Sequence, residues 1–212
     1  MTAGTDDLLE LPASPFAREA LDLVVRNAGP SVANHSVRSW LFAKLLAEHR
    51  GIDVDHDLLF YSCILHDLGL TELGNRNQRF EVDGADVAAE FLTERGFAAG
   101  DVDSVWEAIA LHTSFGIADR RGALTAVTHG GIALDFGIGS EFVTDGQGQR
   151  IHEAYPRLAM ATSLVDIIVG QARSRPEKAP SYTMVAELLR QRSTPPHSTD
   201  MEALAGQGRW GS

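Results

Sequence analysis

Residues 55–69 read DHDLLFYSCILHDLG. Asp55 is a residue type that opens helices, and Leu58, Leu59, Phe60, Tyr61, Cys63, Ile64 and Leu65 are apolar nearly all the way round. A helix with that pattern is buried at the centre of its fold. Gly69 reads as its stop. His66 and Asp67 then stand at the end of a buried helix, where two strongly polar groups carry a desolvation cost unless paired or bound. A divalent metal satisfies both, since neutral imidazole and ionised carboxylate are suitable ligands for Zn, Fe or Mn. Neighbouring helical residues point about 100° apart, so both reach one ion only near a helix end.

The flanking sequence is helical too. Ser14-Pro15 reads as N-cap and first turn of a helix with Ala20, Leu21, Val24 and Val25, stopped at Gly29-Pro30. Ser31 is read as the cap of a second helix that runs to Arg50, with Gly51 after it. Residues 71–82 read as an ordered loop, and helices are expected over 83–95, 101–113, 121–136, 156–174 and 181–192. TDGQGQ at 144–149 reads as a flexible connection, and 193–212 as a polar tail, mobile or docking. IALDFGI at 132–138 is the nearest approach to strand alternation, but it continues the helical spacing of Leu124 and Val127. The expected fold is all-α, a compact multi-helix globule of seven to nine helices. Its expected divisions are an N-terminal helical extension at 1–30, a main domain at 31–192 that includes C-terminal helices, and a tail at 193–212.

The 212 residues suit one domain, and 18 basic against 29 acidic side chains give a net charge of −11. That charge, with no run of basic residues, argues against nucleic acid as a partner. With no 18-residue apolar stretch, no membrane span is expected. The N-terminus MTAGTDDLLELP is acidic, unlike a signal peptide, and the single Cys63 excludes an internal disulfide. These features point to a cytoplasmic protein with a small-molecule partner. The stripe Leu158, Ala161, Leu164, Val165, Ile168 serves a core or a homo-oligomer interface equally well.

Other polar residues interrupt apolar helical faces: His35 in NHSVR, His112 in ALHTS and Asp135 in IALDFG. Arg38 follows His35 at i+3, either as salt-bridge partner of an Asp or as a phosphate grip. Each has a plainer reading. His35 suits a core histidine bonded to a carbonyl, Asp135 and Asp83 suit helix caps, and Glu81 suits a loop anchor. His129 reads as a surface or supporting residue, and His49, His56, His152 and His197 as solvated.

The ordered pattern His35 … His66-Asp67 … Asp135 resembles the HD-domain superfamily of metal-dependent hydrolases, named for that His-Asp pair. The segments HSVRSWLFAKLL, CILHDLGLT, RFEVDGADVAAEFL and VWEAIALHTS resemble its cyanamide hydratase-like branch, over roughly residues 34–137. The resemblance implies one catalytic divalent metal, zinc foremost, with Fe(II), Mn and Co also suited, held by His35, His66, Asp67 and Asp135. It implies a metal-activated water that adds to the nitrile carbon of cyanamide to give urea. His112 would supply a proton, Thr113 and Thr71 would hydrogen-bond, and Phe80, Trp106 and Phe115 would wall a small pocket. Glu81, with Arg79, would line or order the site, and Arg38 would complete it. The alternative is an HD-type phosphohydrolase acting on nucleotides or phosphate esters, which needs cations converging on the metal, with Arg38, Arg76 and Arg79 as candidates. A di-iron oxygenase, which would use both His112 and His129 as ligands, and a ligand-sensing module are further classes.

Overall fold

The computed structural model describes residues 8–212; the first seven residues of the acidic N-terminal stretch lie outside it. The described residues form no strand, as the all-α expectation requires, and ten α-helices where seven to nine were expected. None of these helices is long and apolar enough to cross a membrane.

Helix α1 (Pro15–Asn27) starts where Ser14 accepts from the Ala17 amide, and it buries Ala17, Ala20 and Val24. Helix α2 (Pro30–Arg50) begins before Ser31. Gly29 is its N-cap and Pro30 its first residue, a position where a missing N–H costs nothing. It closes on Gly51 at φ 62°, a left-handed conformation that suits glycine. Helix α3 (His56–Leu65) is capped by Asp55 and buried from Leu59 to Leu65. Burying one such large apolar side chain is worth about 1.5–3 kcal/mol, so α3 anchors the core.

The expected end at Gly69 comes earlier. Helix α3 stops at His66, and the chain tightens into a 3-10 turn over Leu68–Leu70. Gly69 serves packing instead: a Cβ there would stand 1.9 Å from the Phe80 carbonyl oxygen, so only glycine admits the next helix this close.

Helix α4 (Phe80–Glu94) starts three residues ahead of expectation. Asp83, buried in its first turn, gathers the preceding loop by accepting from the amides of Arg76 and Gln78 and from Lys178 Nζ. Helices α5 (Ala99–Ala110) and α6 (Ala123–Asp135) follow. TDGQGQ is no flexible connection. Thr144 and Gln147 form a capping box that opens α7 (Asp145–Ala154). Helices α8 (Met160–Ser174) and α9 (Met184–Ser193) lead to α10 (Asp200–Gln207), opened by a second capping box, Thr199 with Glu202. The tail is therefore docked. Trp210 donates from Nε1 to the Leu134 carbonyl at 2.7 Å and stacks on Phe42.

Two apolar clusters result. The larger joins α1 through α6, and the smaller gathers α8, α9 and α10 around Val32, Leu70 and Phe80. The α8 stripe is buried inside this chain. Helices α2 and α6 meet closely at Gly131, where a Cβ would stand 2.6 Å from the Ser39 carbonyl oxygen. That contact brings His35 and Asp135 side by side, and the polar residues below occupy the seam between the clusters.

Candidate metal centre

Helix α2 supplies His35, and the end of α3 supplies His66 and Asp67. Their ligand atoms lie within 4.8 Å of one another. The His66 Nε2–Asp67 Oδ2 distance is 3.1 Å, and His35 Nε2 is 3.9 Å from the same oxygen. Each imidazole is oriented through its other nitrogen. His66 Nδ1 donates to the Cys63 carbonyl at 2.7 Å, and His35 Nδ1 donates to Asp135 Oδ2 at 2.7 Å. Both Nε2 atoms are left as acceptors, the arrangement that prepares histidines for a metal.

His66 Nε2 and Asp67 Oδ2 are buried and have no hydrogen-bond partner. Facing lone pairs shut away from water are costly, and a cation between them satisfies both. Two imidazole nitrogens and a carboxylate oxygen fit a divalent ion such as zinc, iron or manganese. Burial pushes the Asp67 carboxyl up, but the neighbouring His66, His35 and His112 outweigh it and hold Asp67 well below the usual carboxylate range. Burial dominates at His35, whose pKa falls below the ordinary imidazole value.

The structure does not bring Asp135 into this group. Arg38 donates to both of its oxygens, Nε to Oδ1 and Nη2 to Oδ2, each at 2.7 Å. Arg157 Nη1 adds a bond to Oδ1 at 3.2 Å and one to the Asp135 carbonyl at 2.7 Å. Burial alone would raise this carboxyl, but Arg38, His152 and His35 keep it well below the carboxylate range. An oxygen that accepts from His35 Nδ1 stands on the opposite side of the ring from Nε2. Where the sequence leads one to expect a ligand, the structure shows Asp135 paired with Arg38, Arg157 and His35 Nδ1. Arg38 is wholly buried, and its remaining bonds go to the Tyr155 and Pro156 carbonyls, so it is no phosphate grip. Arg157 was not singled out in the sequence. It sits between α7 and α8 with no motif around it, and the only hint was that Asp135, in an apolar run, needed a partner.

His112 follows α5, buried, with Nδ1 donating to the Ile109 carbonyl at 2.6 Å and its ring 4.9 Å from that of His66. Burial and the neighbouring His66 lower its pKa to about 4. His129 is buried rather than superficial, and its Nδ1 donates to the His112 carbonyl at 2.6 Å. Both rings line a cavity of about 370 Å³ above His35, His66 and Asp67. Its other walls are Phe80, Thr113, Phe115, Phe136, Asp200 and a set of aliphatic side chains, most of them from α6, α8, α9 and α10. A larger cleft of about 840 Å³ beside residues 8–13 contains none of these histidines, so the smaller cavity is the chemically equipped one.

Thr113 Oγ1 donates to Glu81 Oε1 at 2.6 Å, and Arg79 reaches the same oxygen at 2.7 Å. Glu81 is fully buried and stands behind the wall. Trp106 and Thr71 do not line the cavity as expected: Trp106 donates to Asp86, and Thr71 donates to the Leu68 carbonyl. Arg76 pairs with Glu90 on the surface. His49, His56 and His197 are exposed, whereas His152 packs on Phe42 and Trp210 with Nε2 3.7 Å from Asp135 Oδ1.

Two proteins of Saccharomyces cerevisiae, cyanamide hydratase DDI2 and cyanamide hydratase DDI3, are each 24% identical to this chain over 174 residues, covering 78% of it and 76% of the relative. Residues 32–172 match the HD domain family model. That span runs from the first turn of α2 through most of α8, and with them the His-Asp pair and the residues around it, so the chain belongs to the HD-domain family.

Proposed function

We propose that this metal-dependent HD enzyme hydrates a small nitrile, with cyanamide to urea as its test reaction. The observation that carries the reading is the cavity wall: among its lining residues there is no lysine and no arginine. Arg38 and Arg157 turn away to Asp135, and Arg79 turns to Glu81. A phosphate ester brings charge that asks for such cations; a neutral nitrile does not. The two yeast cyanamide hydratases add support by likeness.

His35, His66 and Asp67 would hold a divalent cation, which would supply Lewis acidity and lower a bound water's pKa to about 7. The protein's own residues do the rest. Asp135 and Cys63 fix the two imidazoles, and Thr113, its proton given to Glu81, presents its hydroxyl oxygen as an acceptor. Hydration adds one water across the C≡N bond with no change of redox state, and both protons end on nitrogen. His112, anchored through Nδ1, has Nε2 free to move a proton at the cavity wall.

Purified protein loaded in turn with zinc, iron(II) and manganese is to be given cyanamide, with urea measured, alongside a phosphate-release panel of nucleotides and phosphate esters. Urea from at least one metal form, lost in His66→Ala, supports the reading. Phosphate release without urea overturns it in favour of the phosphohydrolase, and a stoichiometry of two irons with no urea points to the oxygenase.

A further inference from the structure

A nitrile of three heavy atoms takes the room of two or three waters, on the order of 60–90 Å³. The cavity holds about 370 Å³. The surplus lies on one side. His35, His66, Asp67, His112 and Thr113 make a polar floor, and Leu164, Ile168, Met184, Met201, Leu204 and Phe115 make largely apolar walls, interrupted by the carboxylate of Asp200. Phe115 and Leu204 are 64% and 44% exposed, so this apolar end opens to solvent.

The polar floor has a direction of its own. Glu81 Oε1 accepts from Arg79 as well as from Thr113, which marks it as the acceptor of the threonine proton. The Thr113 hydroxyl has then spent its only hydrogen, and toward the cavity it offers lone pairs. His112 and His129 each turn Nδ1 to a carbonyl; His129 Nε2 lies 3.8 Å from Asp119 Oδ1, and His112 Nε2 is left as a further acceptor on the floor. A ligand on this floor is recognised by the N–H it donates, and acceptor-only ligands find no side-chain partner among these residues.

Building on the hydratase reading, we propose that the preferred substrates are N-monosubstituted cyanamides, R–NH–C≡N with R an apolar alkyl or aryl group. The N–H faces Thr113, and R fills the space toward Leu204 and Met201. The products are the monosubstituted ureas, R–NH–CO–NH2, formed by addition of one water. Glu81 is a positioning residue in this scheme, acting through Thr113.

The test is a substrate series on the zinc-loaded protein: cyanamide, its N-ethyl, N-propyl and N-butyl derivatives, and N,N-dimethylcyanamide. The expected result is kcat/KM rising about three- to fourfold per methylene, with the dimethyl compound at least about tenfold below the ethyl compound of equal carbon count. Leu204→Trp flattens the chain-length dependence. Thr113→Val and Glu81→Gln raise KM more than they lower kcat and narrow the gap to the dimethyl compound, and Thr113→Ser restores it. A parallel arm needs no turnover: urea, N-butylurea and tetramethylurea are titrated into the zinc-loaded protein, followed by histidine NMR shifts. Butylurea is expected to bind tightest and tetramethylurea weakest. Hydration of cyanamide with a flat or falling chain-length series, or with the dimethyl compound accepted equally, overturns the proposal and leaves the hydratase reading intact. If no nitrile is hydrated, the hydratase reading fails. The binding order then decides the ligand class: butylurea first supports it, and no preference among the three ureas overturns it.

Discussion

Asp67 and Asp135 are both buried carboxylates, 5% and 0% exposed, yet their surroundings are opposite. Asp135 is saturated: Arg38, Arg157 and His35 all donate to it. Asp67 faces His66 and His35 across gaps with an oxygen that no hydrogen bond reaches. The first environment is complete within the chain, and the second is left open, as a cation site would be. Burial alone therefore does not mark a ligand; the unfilled lone pair does.

This contrast can be broken most forcefully at Asp135. Asp135→Ala leaves two buried guanidinium groups without their anion, and removing one partner of a buried pair costs about 3–5 kcal/mol. Thermal unfolding is expected to show a fall of roughly 6–20 °C, at about 2–4 °C per kcal/mol for a chain of this size. Next comes the cation. Zinc added to metal-free protein at a hundred times its dissociation constant should stabilise by about 2.7 kcal/mol, seen as a rise in the melting temperature, reversed by a chelator and absent in Asp67→Ala. A smaller effect sharpens the comparison. Asp135→Asn keeps the shape but weakens the grip on His35 Nδ1, and metal affinity measured by competition should drop about 10- to 100-fold. The smallest effect is Asp67→Asn without metal. It removes a buried carboxylate that the neighbouring imidazoles favour but that no hydrogen bond holds at Oδ2, so the melting temperature should fall by less than in Asp135→Ala. A loss as large as that at Asp135 would erase the distinction between the two carboxylates.

Much of this was legible beforehand. The unbroken apolar run from Leu58 to Leu65 marked α3 as central, and His66-Asp67 stood out because nothing nearby in sequence could satisfy them. The side of His35 on which a carboxylate stands was not legible, because both ring nitrogens are reachable from α6 and sequence spacing does not choose between them. Arg157 was hidden for a related reason: its partner lies 22 residues away, with α7 between them. The sequence left His129 between a surface and a supporting role because Gly130-Gly131 reads as a break, whereas those glycines admit α2 against α6, with Gly131 pressed on Ala43 and Ser39. The ordered C-terminal region was missed at two capping boxes. Thr144 with Gln147, and Thr199 with Glu202, supply helix-starting hydrogen bonds in stretches whose composition is that of loops. Through the second of them, the tail brings Met201 and Leu204 to the cavity.

Anomalous diffraction from crystals soaked in zinc, recorded at the zinc edge, addresses the central claim most directly. The account predicts one peak bonded to His35 Nε2 and His66 Nε2 at about 2.0–2.1 Å and to Asp67 at about 2.0–2.2 Å, with Asp135 still accepting from His35 Nδ1. A peak ligated by Asp135, or no ordered metal between His66 and Asp67 at saturating zinc, would contradict it.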